Sequence, residues 1–177
     1  MKSLAEALKE CEAIKFGDFT LASGKKSRYY VDIKKASTNP QVLKLIARRI
    51  SDVLVLRSIR VDYVGGVALG GVPVATAVSL ETGLPLLMVR KEAKEYGTKG
   101  QIVGEPERGK SVVLVEDVTT TGGSVLKAIQ TLKDEGLFIR YVIVVVDREE
   151  GASGALADAD VELIPLVRIS ELLKNKK

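Results

Sequence analysis

The amino-acid sequence predicts an α/β fold: a central, mostly parallel sheet flanked by helices. Three observations predict it. Apolar runs at 61–67, 84–89, 112–115 and 141–146 have the pattern of strands covered on both faces. Between them lie stretches with apolar residues at helical spacing, so strand and helix alternate along the chain. The 177 residues, 46% hydrophobic and 28% charged, suffice for one globular domain with a sizeable core, and no internal repeat or linker divides them.

Composition narrows the function. A net charge of +4 is modest; it permits a nucleic-acid partner without requiring one, and it suits an anionic small substrate as well. No apolar run approaches membrane-spanning length, and the opening Met1-Lys2-Ser3-Leu4 starts an amphipathic helix rather than a signal peptide, so no membrane partner is expected. Cys11 is the only cysteine, which rules out an intrachain disulfide and fits a reducing cytoplasm. Histidine is absent, excluding Ser–His and Cys–His nucleophiles and any His-ligated zinc within this chain. The chemistry must run on Lys, Arg, Asp, Glu, Thr and Tyr, or on a bound metal.

Residues 2–14 carry Leu4, Ala7, Leu8, Cys11 and Ile14 at helical spacing. The stretch 16–32 mixes aromatic, Gly and Ser residues and reads either as a hairpin or as an edge ribbon with solvated lysines. Asn39-Pro40 reads as an N-cap followed by proline at the first helical position, opening a long amphipathic helix through Leu43, Ile46, Ala47, Ile50, Val53 and Leu54. The strand at 61–67 leads into Ala68-Leu69-Gly70-Gly71-Val72-Pro73 and a helix to about Thr82. That glycine turn serves tight strand-to-helix packing or close approach to a ligand. After the strand at 84–89, Arg90, Lys91, Lys94 and Tyr96 lie in a long charged loop dotted with glycine. By itself this loop is a solvated one or a functional one.

The stretch 111–124 is the most informative. Val112, Val113, Leu114 and Val115 form an unbroken apolar run, which ends in Glu116 and Asp117. Val118, Thr119, Thr120, Thr121, Gly122, Gly123 and Ser124 follow before helical spacing begins at Val125, with Gly136 where a C-terminal cap would fall. The loop thus sits at the carboxyl end of a buried strand, where open α/β sheets bind ligands. Its glycines allow close backbone approach, and the amides at the helix start favour a phosphate. The two acids would repel phosphate and are expected to face a sugar's vicinal hydroxyls. Neither a P-loop nor a dinucleotide fingerprint is present. The strand at 141–146 ends in Asp147-Arg148-Glu149-Glu150, where Arg148 is a ligand contact or one half of a surface ion pair. A last strand at 161–167, a C-terminal helix at 169–173 and a lysine tail complete the chain.

Val-Val-Leu-Val-Glu-Asp-Val-Thr-Thr-Thr-Gly-Gly-Ser at 112–124 resembles the phosphoribosyl diphosphate signature of the type I phosphoribosyltransferases. Phe-Gly-Asp-Phe-Thr-Leu-x-Ser-Gly-x-x-Ser-x-Tyr-Tyr-x-Asp at 16–32 resembles the N-terminal hood of the orotate phosphoribosyltransferase family, and Arg90, Lys91 and Lys94 match that family's Arg-Lys-x-x-Lys-x-His-Gly loop. The resemblance implies the type I phosphoribosyltransferase fold over 1–177, with a small N-terminal hood made from roughly 1–35 and a C-terminal segment.

It also implies a reaction, transfer of ribose 5-phosphate from 5-phospho-α-ribosyl diphosphate to orotate with release of pyrophosphate. Arg90, Lys91, Lys94 and Asp117 would be catalytic. The sugar donor would lie against Arg90, Lys91, Lys94, Tyr96, Glu116, Asp117, Val118, Thr119, Thr120, Thr121, Gly122, Gly123 and Ser124. Orotate would meet Thr120, Arg148, and the backbone at Tyr30 and Val31. Mg²⁺ would arrive on the diphosphate, with Asp117 touching it through water and no direct protein ligand. The family's loop closes over its partner's site, implying a cytoplasmic homodimer with shared active sites. Three positions depart from the pattern: Ala22 and Gly70 stand where some bacterial members have lysine, with Lys25 or Lys26 as candidate substitutes for the first, and Tyr96 replaces the loop histidine. Transfer to a purine base, or a ligand-sensing transcriptional regulator of the same fold, are the alternatives; the latter is expected to need a DNA-reading helix pair that the N-terminal segment lacks.

Overall fold

The computed structural model describes residues 2–20, 26–94 and 100–174. Ala22, Lys25, Tyr96 and the tail at 175–177 lie outside the described residues.

A short helix α1 (Leu4–Glu10) begins at Ser3, whose hydroxyl caps Glu6 N–H while the Glu6 carboxylate accepts from Ser3 N–H. It is shorter than the apolar spacing of 2–14 predicts. Cys11 is its C-cap, Glu12 takes a positive φ of 54°, and Ile14 already opens strand β1 (Ile14–Thr20). β1 pairs antiparallel with β2 (Lys26–Val31) in a separate two-stranded sheet, the hairpin form of the 16–32 stretch. Then come α2 (Ile33–Ser37) and α3 (Pro40–Leu56). At α3 the cap is as the sequence predicts: Asn39 Oδ1 accepts from Gln41 N–H at 3.1 Å and Val42 N–H at 3.2 Å.

The main sheet is built from β3 (Tyr63–Val67), β4 (Leu86–Lys94), β5 (Gly100–Val103), β6 (Ser111–Thr119), β7 (Phe138–Asp147) and β8 (Glu162–Arg168). Their spatial order is β5-β4-β3-β6-β7-β8, all neighbours parallel except β4 with β5. Helices α4 (Gly71–Thr82), α5 (Gly123–Asp134), α6 (Ala152–Ala157) and α7 (Ile169–Lys174) complete the fold.

Alternate residues of β6 enter opposite cores. Val113 and Val115 join α1, α2, α3, α4 and α7 on one face, whereas Val112 and Leu114 join α5 and α6 on the other. Burial on both sides is why this strand reads as an unbroken apolar run.

One expectation is corrected here. The charged stretch from Arg90 onward is not a loop from its start. β4 continues through Arg90 and Lys91 to Lys94, and β5 returns antiparallel to it, pairing Val89 with Ile102 and Lys94 with Gly100. The pattern is charged because this end of the sheet is an edge, where strand residues are not buried on both faces.

Candidate functional site

After β3 the chain crosses to β4 on one side; after β5 it returns to place β6 on the other side of β3. The loops leaving the carboxyl ends of β3 and β6 therefore diverge, creating the crevice in which open α/β sheets bind ligands. A cavity of about 430 Å³ lies there.

The β3 loop contributes Ala68, Leu69 and Gly70 to its wall, and the β6 loop contributes Glu116 through Val125. Gly70 is needed for the two loops to meet, because a β-carbon there would overlap the Asp117 carboxylate. Gly122 turns the β6 loop into α5 at φ 86°, a left-handed conformation that leaves the first amides of α5 without a capping side chain. These amides, with Thr121 and Ser124 beside them, form a concave donor site at the positive end of a helix dipole.

Glu116 and Asp117 are nearly buried in the same wall. Burial pushes the Glu116 carboxyl up to about 9, assisted by its hydrogen bond to Asp117 and by the Asp117 charge. The Asp117 backbone N–H, which donates to Glu116 Oε1 at 2.9 Å, and the Lys34 ammonium oppose this shift. Burial thus favours the neutral form of Glu116. A neutral Glu116 can donate to a hydroxyl as well as accept from one. Asp117 Oδ1 accepts from Val118 N–H at 2.9 Å, while Oδ2 is buried without a hydrogen-bond partner.

Thr119 lines the cavity, but its hydroxyl turns inward and donates to Asp147 Oδ1 at 3.0 Å. Asp147 also accepts from Glu149 N–H at 3.0 Å and lies 3.9 Å from Arg168 Nη1, tying the ends of β6, β7 and β8 together. Main-chain bonds reinforce the tie: Arg148 N–H donates to Thr119 O, and Ala152 N–H donates to Thr120 O.

Among the predicted cations, Lys91 lines the cavity. Arg90 is not among the lining residues; of Lys94 only the backbone at the end of β4 is described. Arg148 lies beside the Thr119–Thr120 turn rather than in the cavity wall. Its Nη2 pairs with Glu150 Oε1 at 2.7 Å, its Cζ sits 5.3 Å from the Tyr29 ring centre, and its buried Nε has no partner. The guanidinium thus makes the ion pair that its local sequence allows and also faces the hairpin. In the hairpin, Tyr30 is half exposed and pairs with Lys15, and Val31 pairs with Ile14. The Lys26 ammonium is engaged with the Thr20 hydroxyl at 2.9 Å.

Two charged lining residues escape the sequence reading, Lys34 on α2 and Lys127 on α5. Lys127 carried a signal, since a cation one turn from a helix start opposes the dipole unless an anion is expected there. Lys34 carried none, because only the tertiary fold brings α2 to the end of β6.

A switch-point crevice with paired acids on one side and a helix-start amide nest on the other places the chain among α/β proteins built to bind a phosphate-bearing ligand. The phosphoribosyl transferase domain pattern matches residues 32–162. The chain is 59% identical over 173 residues to an orotate phosphoribosyltransferase of Methanosarcina mazei, covering 98% of this chain and 91% of the relative. It is 54% identical to that of Methanocaldococcus jannaschii, covering 96% and 94%. The crystal structure of orotate phosphoribosyltransferase from Aeropyrum pernix superimposes with a TM-score of 0.87 at 36% identity, covering 97% of this chain and 96% of that one. This chain belongs to the orotate phosphoribosyltransferase family, within the phosphoribosyl transferases.

Proposed function

We propose that this chain transfers ribose 5-phosphate from 5-phospho-α-ribosyl diphosphate to orotate, giving orotidine 5′-monophosphate and pyrophosphate in pyrimidine biosynthesis. The observation that carries the reading is one cavity lined both by Glu116 and Asp117 and by the α5 amide nest. In this assignment the 5′-phosphate sits on the amides from Gly122 to Val125, with the Thr121 and Ser124 hydroxyls adding neutral donors. Glu116 and Asp117 take the ribose hydroxyls, and the main chain at Ala68 to Gly70 faces the diphosphate.

The reaction needs no protein nucleophile. The leaving group is a polyanion, and the ribosyl carbon develops positive character as it departs, so catalysis rests on positioning and fixed charge. Lys91, with Arg90 and Lys94 from the same strand, neutralises the departing diphosphate. Arg148 offers two parallel donors to the orotate carboxylate, displacing the Glu150 contact it makes here. Tyr29 beneath the guanidinium fixes its plane, while the backbone at Tyr30 and Val31 and the Thr120 region bound the base.

Among the described residues no cluster of three Asp, Glu, Cys or His could cage a metal. The donor set instead fits a hard, hydrated cation such as Mg²⁺ carried in by the substrate, which Asp117 Oδ2, buried and without a hydrogen bond, would reach through water. When bound, Mg²⁺ supplies charge neutralisation on the diphosphate. The arm from β4 to β5 would act across a homodimer, covering the partner's cavity, with the 1–35 region and a C-terminal segment as the hood of one domain. No described helix is long and apolar enough to cross a membrane; we place the reaction in the cytoplasm.

The test is an ultraviolet assay of orotate consumption with the sugar diphosphate and Mg²⁺, run in parallel with uracil, adenine and guanine. Turnover of orotate alone supports the reading. Turnover of a purine instead would overturn it.

A further inference from the structure

The Lys34 side chain is 61% exposed, yet its Nζ lies 3.5 Å from Asp117 Oδ2. That oxygen is the one left without a hydrogen bond, the other being tied to Val118 N–H. The Gly70 backbone also packs close against this carboxylate, leaving no room there for a side chain. Among the described residues Lys34 is the only cation in ion-pair reach of Asp117. The β3 loop, with Leu69 and Gly70, brings no charge to this corner.

We propose that Lys34 is a positioning residue for the sugar site: reaching down from α2, it holds Asp117 Oδ2 toward the cavity so that the ribose hydroxyls meet a carboxylate already oriented. The proposal rests on reading the cavity as the site of a phosphorylated ribose diphosphate. An ion pair with so exposed a partner adds little to stability, since solvent screens it. Its effect is to remove a rotational freedom that the substrate would otherwise have to freeze. The placement also links two sites through one short segment. Tyr29 stacks on Arg148, and Lys34, five residues later and just past the end of β2, pairs with Asp117. The hairpin and α2 thus set the base contact and the sugar contact in register.

Four variants test this: Lys34→Met, Lys34→Arg, Asp117→Asn, and Lys34→Met combined with Asp117→Asn. For each, the kcat, both KM values, the thermal midpoint, and the Kd for the sugar diphosphate with Mg²⁺ by calorimetry without orotate are measured. Lys34→Met is expected to raise the KM and Kd for the sugar diphosphate roughly tenfold, the scale of one charge-assisted contact near a surface. The orotate KM should stay within about twofold and the thermal midpoint should not move. Lys34→Arg should recover most of the loss, because a guanidinium reaches the same oxygen. In the Asp117→Asn background Lys34→Met should cost almost nothing further, since a residue acting through Asp117 cannot act without it.

An unchanged Kd in Lys34→Met, or a full additive loss in the double variant, overturns the proposal; the latter would make Lys34 a direct substrate contact. If the parent binds the sugar diphosphate but does not consume orotate, the functional reading fails and the four Kd values still decide Lys34. If the parent does not bind the sugar diphosphate, both fall together.

Discussion

The two halves of the cavity are built in opposite ways. The β6 half is made of main chain and short side chains: an amide nest, two carboxyls and small hydroxyls, all contiguous in sequence and anchored to a strand buried on both faces. The cationic half is assembled from long side chains on separate elements, Lys91 from an edge hairpin, Lys34 from α2 and Lys127 from α5, while Arg148 lies outside the wall under the N-terminal hairpin. The first half is fixed before any ligand arrives. The second depends on flexible stems whose positions are set by distant packing. In the proposed reaction the backbone half would anchor the 5′-phosphate, while the side-chain half would meet the departing diphosphate.

If that division holds, the largest loss comes from disturbing the backbone half. Gly122→Val forces a β-branched residue to φ 86° with Ala152 Cα 3.3 Å from its β-carbon, shifting several amide donors together. A fall in kcat/KM on the order of 10³ or more is expected, with each such donor worth about 10²–10³. Steady-state kinetics with a folded variant within tenfold of the parent would break the comparison.

Lys91→Ala removes one mobile charge and should cost about 10²–10³, mostly in kcat, because the contact strengthens as pyrophosphate departs. A rise in KM alone would show that Lys91 merely binds. Next in size, Arg148→Ala should raise the orotate KM by about 10–10², the equivalent of a charge-assisted contact of about 1.5–3 kcal/mol. The KM of the sugar donor should hardly change, and equal shifts would remove Arg148 from the base pocket.

A further prediction concerns stability rather than turnover. Burial raises the Glu116 carboxyl from its ordinary 4.5 to about 9, favouring its neutral form in the fold. The stability contributed by its bound proton is complete below the unfolded value and is lost as pH rises toward the folded one. Glu116→Gln needs no proton to stay neutral. Its thermal midpoint should therefore gain on the parent as pH climbs from about 5 to about 9, by about 2–4 °C for each kcal/mol lost by the parent. A difference that stays constant over that range would mean the carboxyl is not neutral in the fold.

The same division explains what the sequence reveals. The central strands are legible because burial on both faces writes a continuous apolar run, as at Val112 to Val115. The β6 loop is legible because its donors and acids are consecutive. β5 is not, since Gly-Gln-Ile-Val is a strand only through its pairing with β4, and the charged end of β4 hides strand character in the same way. The end of α1 misleads because Cys11 and Ile14 continue the helical spacing by coincidence, while Glu12 at φ 54° reverses the chain. Lys34 is illegible because its partner, Asp117, lies far along the chain and no local pattern records the encounter.

Asp147 has a final consequence. By accepting from Thr119 and Glu149 and drawing in Arg168, this buried side chain rivets the rim formed by β6, β7 and β8. Replacing Asp147 with an apolar residue would therefore release Thr119, at the wall of the cavity, and Arg168, on the outermost strand, in a single step.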